Sequence, residues 1–181
     1  MRLRPIPPIL ANIVHSAIQV CNGTHYFSRG ACRSCGGVLS GYDTRSKRFA
    51  VICDDDREHT VEVFIHRAYC RSCGRILVPE GPFYPGIRTG SPVVDLCRAL
   101  STTMSYGRVS ARLAHMGVKV DRWSVRAYCQ SPYIPPPTVA AFGMDIPLSI
   151  ISLSALAGSP GTAGCAQGDD VLFACYLPPG N

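Results

Sequence analysis

The stretches Ala31–Gly37, ACRSCGG, and Tyr69–Arg75, YCRSCGR, decide how this chain is read. Each writes Cys-Arg-Ser-Cys-Gly. Aligned, the likeness widens to Arg29-x-x-Cys32-Arg-Ser-Cys35-Gly-x-Val38-Leu39 against Arg67-x-x-Cys70-Arg-Ser-Cys73-Gly-x-Ile76-Leu77, at a constant offset of 38 residues. A Cys-x-x-Cys turn can aim two thiolates at one ion, and the glycine that follows, Gly36 or Gly74, suits a left-handed backbone. Two such turns facing each other supply the four ligands of tetrahedral zinc. Cys32, Cys35, Cys70 and Cys73 are therefore read as one structural four-cysteine zinc site, the anchor of a zinc ribbon over residues 22–90. Iron of the rubredoxin kind uses the same donors and is the alternative occupant. A closed four-sulfur shell leaves no metal-bound water for catalysis.

The 34 residues between the two pairs exceed the simplest zinc spacing. A hairpin insertion returns the chain at small entropic cost. The runs Lys47–Cys53 and Thr60–Tyr69 are strand-like, the second alternating Val61, Val63 and Ile65 with Glu62, Phe64 and His66. The polar segment Asp54-Asp55-Asp56-Arg57-Glu58 between them reads as the hairpin turn. Cys21, His25, Cys53 and His59 fit no strong ligand spacing. Cys97, Cys129, Cys165 and Cys175 read as buried or free thiols.

Residues 1–21 hold an amphipathic helix, with Leu10, Val14, Ala17 and Ile18 among its apolar positions and Pro8 in the first turn. Residues 91–129 turn helical. Ser91-Pro92 starts a first helix through Leu96 and Leu100; a second carries Val109, Leu113 and Met116 on one face and stops at Gly117. Asp121 caps a third, with Val125 and Tyr128 inward and Arg122, Trp123, Ser124 and Arg126 toward the outer face. That is the grammar of a helix-turn-helix, whose second helix offers its early residues to the major groove. The candidate DNA-binding residues are Arg108, Arg112, Lys119, Arg122, Trp123, Ser124 and Arg126, with Arg108 and Arg112 on phosphates. Residues 130–181 read as a proline-rich linker and an irregular apolar tail. The predicted class is α+β: a small β-rich zinc ribbon, a three-helix module and that tail.

Charge is unevenly spread. Residues 1–128 hold all 18 Lys and Arg against nine acids, a net +9, whereas residues 129–181 hold three acids and no base. A polyanion is the natural partner of such a half. Sixteen of the bases are arginine, which grips phosphate or guanine through two parallel hydrogen bonds. The prolines and His15 in the first 21 residues break the pattern of a secretion signal, and the apolar run Ile146–Ala157 is shorter than a membrane span. A cytoplasmic protein with reduced thiols and no membrane partner is the expectation.

In module order and motif type, residues 25–130 resemble the N-terminal part of insertion-sequence transposases, particularly archaeal and ISL3-like ones. The motifs that carry the likeness are TVEVFIHRAYCRSCG (Thr60–Gly74) and GRVSARLAHMGVKVDRWSVRAY (Gly107–Tyr128). The resemblance implies binding of double-stranded DNA at transposon-end inverted repeats. In that family an RNase H-like domain with dispersed carboxylates does the cutting. Here only Asp145, Asp169 and Asp170 follow Tyr128, so no catalytic residue is assigned; adjacent acids at 54–56 and 168–170 read as turns. The implied protein is the DNA-binding end of a transposase, as a truncated copy or a separate subunit, with self-association or a separate catalytic chain as further partners. The apolar run at 146–157 would be the first strand of a missing fold or an oligomerisation surface. The alternatives are a zinc-ribbon transcription adaptor, or a redox or nuclease enzyme completed by a partner chain.

Overall fold

The structure is a computed structural model, described for residues 5–54, 57–134, 137–159 and 166–175. It is mixed α+β. Helix α1 (Pro8–Gln19) is followed by strand β1 (His25–Phe27) and the long hairpin β2 (Leu39–Asp54) and β3 (Arg57–Cys70); β4 (Ile76–Leu77) is a short return strand. Three helices follow: α2 (Ser91–Ser101), α3 (Tyr106–His115) and α4 (Arg122–Cys129). A two-stranded hairpin, β5 (Thr138–Ala141) and β6 (Met144–Pro147), leads into α5 (Leu148–Ala157), and α6 (Gly168–Ala174) comes last.

The main sheet has the order β1-β3-β2, with β4 also paired to β3. β1 runs parallel to β3, and β2 and β3 are antiparallel from Leu39 opposite Cys70 to Asp54 opposite Arg57. The hairpin expectation therefore holds, with longer strands than the sequence pattern showed; the turn residues 55 and 56 lie outside the described residues. The register slips between Arg48 and Ala50. The extra residue of that bulge, Phe49, is fully buried and meets Phe83 edge to face at 6.0 Å. Its carbonyl accepts from the Gly90 amide at 2.8 Å, and a Cβ at Gly90 would come within 2.2 Å of the Phe49 ring. The bulge thus seats the start of α2 against the sheet, and only glycine fits there.

The far end of β2 grips the turn between α3 and α4. The Cys53 amide donates to the Gly117 carbonyl at 2.7 Å, and the Lys119 amide donates to the Val51 carbonyl at 2.9 Å. Gly117 has φ 75°, and a Cβ there would stand 2.9 Å from the Cys53 carbonyl. The helices α2, α3 and α4 pack on one another through Leu96, Leu100, Val109, Leu113, Met116 and Val125, all buried.

One apolar cluster runs from Leu10 and Val14 on α1 through Val63 on the sheet and Leu113 on α3 to Ile150 on α5 and Val171 on α6. Residues 8–19, the sheet, the three helices and the C-terminal segment share that core. The tail expected to be irregular is instead a hairpin and two helices. Its apolar run buries Ile146, Ile150 and Leu153 completely, with α5 packed on α1. Most of that run is helix α5 rather than a strand. Residues buried on several sides need no polar stripe, so α5 gave no helical period to read. Asp169 and Asp170 lie in the first turn of α6 rather than in a turn. Acids there favour the positive end of the helix dipole. No described helix is long and apolar enough to cross a membrane.

Candidate metal centre and basic helix

The two Cys-x-x-Cys copies are the same structure twice. In the first, the Cys32 amide donates to the Gly37 carbonyl at 2.9 Å and the Gly36 amide to the Cys32 carbonyl at 2.8 Å. In the second, the Cys70 amide donates to the Arg75 carbonyl at 2.9 Å and the Gly74 amide to the Cys70 carbonyl at 3.0 Å. Gly36 and Gly74 both adopt φ 71°, the left-handed conformation that closes each turn. The hairpin delivers the second turn from the end of β3, while the first leads into the start of β2; Leu39 pairs with Cys70 in the ladder.

All four sulfur atoms lie within 4.8 Å of one another. Cys32 Sγ is 3.7 Å from Cys73 Sγ, and Cys35 Sγ is 3.5 Å from Cys70 Sγ. A tetrahedron with metal–sulfur bonds of about 2.3 Å has edges of roughly 3.8 Å, close to these two separations, so the four sulfurs could hold one ion. These separations are well beyond a disulfide bond, and all nine cysteines among the described residues are free. Cys32 and Cys70 are buried, Cys35 and Cys73 exposed. Amides hold part of the charge: those of Cys73 and Ser72 draw the Cys70 thiol down to about 6, and those of Ser34 and Cys35 lower Cys32. Among the described residues no other group of three or more metal-ligating side chains converges.

The sequence missed what holds the two turns face to face. A Cβ at Gly37 would meet Ser72 Oγ at 2.3 Å and Cys70 Sγ at 3.0 Å. The first copy carries glycine where the second carries Arg75 because the turns touch at that point. Arg75 donates to Ser34 Oγ at 3.0 Å, and Arg33 pairs with Glu80 at 2.9 Å. The outer arginines of the repeat diverge: Arg67 is ion-paired with Asp43, and Arg29 with Asp169.

The second candidate region is α4. Asp121 caps it, accepting from the amides of Trp123 and Ser124 at 2.9 Å each and from the Ser124 hydroxyl at 2.6 Å. Those donors, the Ser124 hydroxyl first, hold the Asp121 carboxyl below its ordinary range. Loss of such a cap costs about 1 kcal/mol, so Asp121→Ala should lower unfolding free energy by that order in a urea titration. Val125 is buried, and Tyr128 Oη lies 2.7 Å from Thr89 Oγ1, which fixes the inner side of the helix. Arg122, Trp123 and Arg126 are exposed, Trp123 at 65%, and the Arg122 guanidinium lies over the Trp123 ring at 5.0 Å.

The remaining candidates separate. Arg108 is exposed on α3. Arg112 is only 7% exposed, on the same side of α3 as Val109 and Leu113, a poor position from which to reach a phosphate. Its place three residues after buried Val109 is the helical spacing that marks the inner face. Lys119 is exposed but ion-paired with Glu58 on β3. Ser124 is half-buried, and its hydroxyl is engaged with Asp121. A scan against family models and searches of curated proteins and of solved structures return no match.

Proposed function

We infer that this protein binds double-stranded DNA through the outer face of α4, held in place by a zinc-loaded pair of cysteine turns and the hairpin that joins them to the helices. The observation that carries the reading is the division of labour on α4. Val125 and Tyr128 anchor it, and the turn before it is hydrogen-bonded to β2. Arg122 and Arg126, four residues apart, are left on one exposed face beside Trp123. Arginines at the start of a capped helix suit guanine edges and phosphates in a major groove. The helices α2–α4 then act as a helix-turn-helix and the cysteine turns as a zinc ribbon. The likeness to the end-recognition part of transposases favours inverted-repeat DNA as the partner. The proposed role is recognition of that DNA.

Arg122→Ala combined with Arg126→Ala should weaken duplex binding at least tenfold and flatten the dependence of log affinity on log salt by roughly two. Fluorescence anisotropy across a salt series measures both. The zinc content and melting temperature of the double variant should stay at wild-type values. Unchanged affinity and slope would remove α4 from the interface.

A further inference from the structure

The outer face of the main sheet carries a ring array that neither the cysteine centre nor α4 uses. His25 and Phe27 on β1 and Phe64 and His66 on β3 share this face, and the parallel register sets His25 beside Phe64 and Phe27 beside His66. The rings are nearly parallel. Phe27 and His66 stack at 4.1 Å and 13°, His25 and Phe64 at 4.8 Å and 22°, and the two imidazoles at 5.0 Å and 28°. His25 Nδ1 lies 2.7 Å from His66 Nε2. The other nitrogen of His66, Nδ1, lies 2.8 Å from Thr44 Oγ1, on the residue opposite it in β2.

We propose that His25 and His66 form a second, exchangeable site for a borderline divalent ion of the nickel, copper and zinc class, distinct from the four-cysteine centre. Imidazole nitrogen is a preferred donor for these ions. Two such nitrogens already point at each other at the protein surface, on strands that set their spacing. The phenylalanine rings on either side restrict both imidazole planes, so little side-chain freedom is left to lose on binding. Thr44 completes the arrangement. When His66 Nδ1–H donates to the Thr44 hydroxyl, Nε2 carries the lone pair that a metal takes, the role outer-shell partners of ligating histidines play. The ion then replaces the hydrogen bond between the rings, with His25 Nδ1 and His66 Nε2 both unprotonated and His25 Nε2–H turned to solvent. Metal–nitrogen bonds of about 2.0–2.1 Å place two cis ligands roughly 3 Å apart, so the rings separate by a few tenths of an ångström and turn within their planes until both lone pairs meet at the ion. Water fills the remaining positions.

The test is titration of the full zinc-loaded chain with Ni(II) near pH 7.5 by calorimetry, with zinc release and the histidine ring proton signals followed in parallel. One nickel should bind per chain without zinc release, and the His25 and His66 signals should broaden first. His66→Phe preserves the ring stack and removes both nitrogens. His25→Asn removes the other ligand. Each should weaken nickel binding tenfold or more at unchanged zinc content and melting temperature, and Thr44→Val should weaken it by roughly tenfold. His59→Asn and His115→Asn should change nothing. Nickel uptake matched by zinc release would assign the metal to the cysteines and overturn the proposal. So would wild-type nickel affinity in folded His66→Phe and His25→Asn.

Discussion

Cys70→Ser is expected to abolish stoichiometric zinc binding and to unravel one end of the molecule while the rest stays folded. The cysteine turns lie outside the apolar cluster that joins α1 to α6; neither Cys32 nor Cys70 belongs to it. What joins the two turns is the sulfur set, the Gly37–Ser72 contact, the Arg75–Ser34 hydrogen bond and the start of the β2–β3 ladder. Free energy of metal binding is folding free energy for such a segment. Removing one ligand should cost more than the roughly 10–100-fold in affinity that outer-shell changes cost. Hydrogen exchange resolves the outcome by position. Amides of Cys32, Gly36, Cys70 and Gly74, hydrogen-bonded within the turns, should lose protection in the variant. Amides of Val63, Leu100 and Leu113 should keep it, because their side chains are fully or almost fully buried in the shared core. Uniform loss of protection would mean that the metal holds up the whole fold.

Asp95→Asn should become more stable relative to wild type as pH rises, by about 2 kcal/mol between pH 4 and pH 7. Asp95 is 1% exposed on α2 and accepts hydrogen bonds from Tyr84 Oη at 2.6 Å and Ser149 Oγ at 3.2 Å. Burial outweighs these donors and Arg98, and raises its pKa to about 6. The unfolded carboxyl titrates near 3.9, so the folded state binds the proton more tightly. The stability this contributes is fully present below about pH 4 and is lost as pH rises through 6. Two pK units correspond to about 3 kcal/mol in full, of which about 2 kcal/mol falls between pH 4 and pH 7. Asp43 and Asp121 shift the other way, favoured in the charged form by Arg67 and by the Ser124 hydroxyl respectively. The difference between variant and wild type, from urea titrations at matched pH, cancels their contribution and that of the cysteines. A difference independent of pH would refute the buried carboxylate as its source.

The parts of this fold that could be read from sequence are those with local grammar. The duplicated cysteine turns, the prolines that start α1 and α2, the Asp121 cap and the Gly117 stop each leave a short-range signature, and each stands where its residues placed it. What was not legible depends on contacts between distant segments. β1 is three residues long and pairs in parallel with a strand some 40 positions away, so no turn signal announces it. The histidine pair follows from that pairing alone. Residues 130–181 read as a linker and tail because α5 is buried against α1 and α2 and shows no polar stripe. Arg112 failed as a surface residue for a reason the sequence did hold: it shares the face of Val109 and Leu113.

Four thiolates meeting at one ion between two copies of one turn would hold the cysteine end of the molecule together. X-ray absorption at the zinc edge, on the full chain carrying His66→Phe and purified without chelator, tests that claim most directly. The prediction is one zinc per chain with four sulfur neighbours at about 2.3 Å and no nitrogen or oxygen in the first shell. A mixed shell, or a fully folded chain that carries no metal, would contradict it.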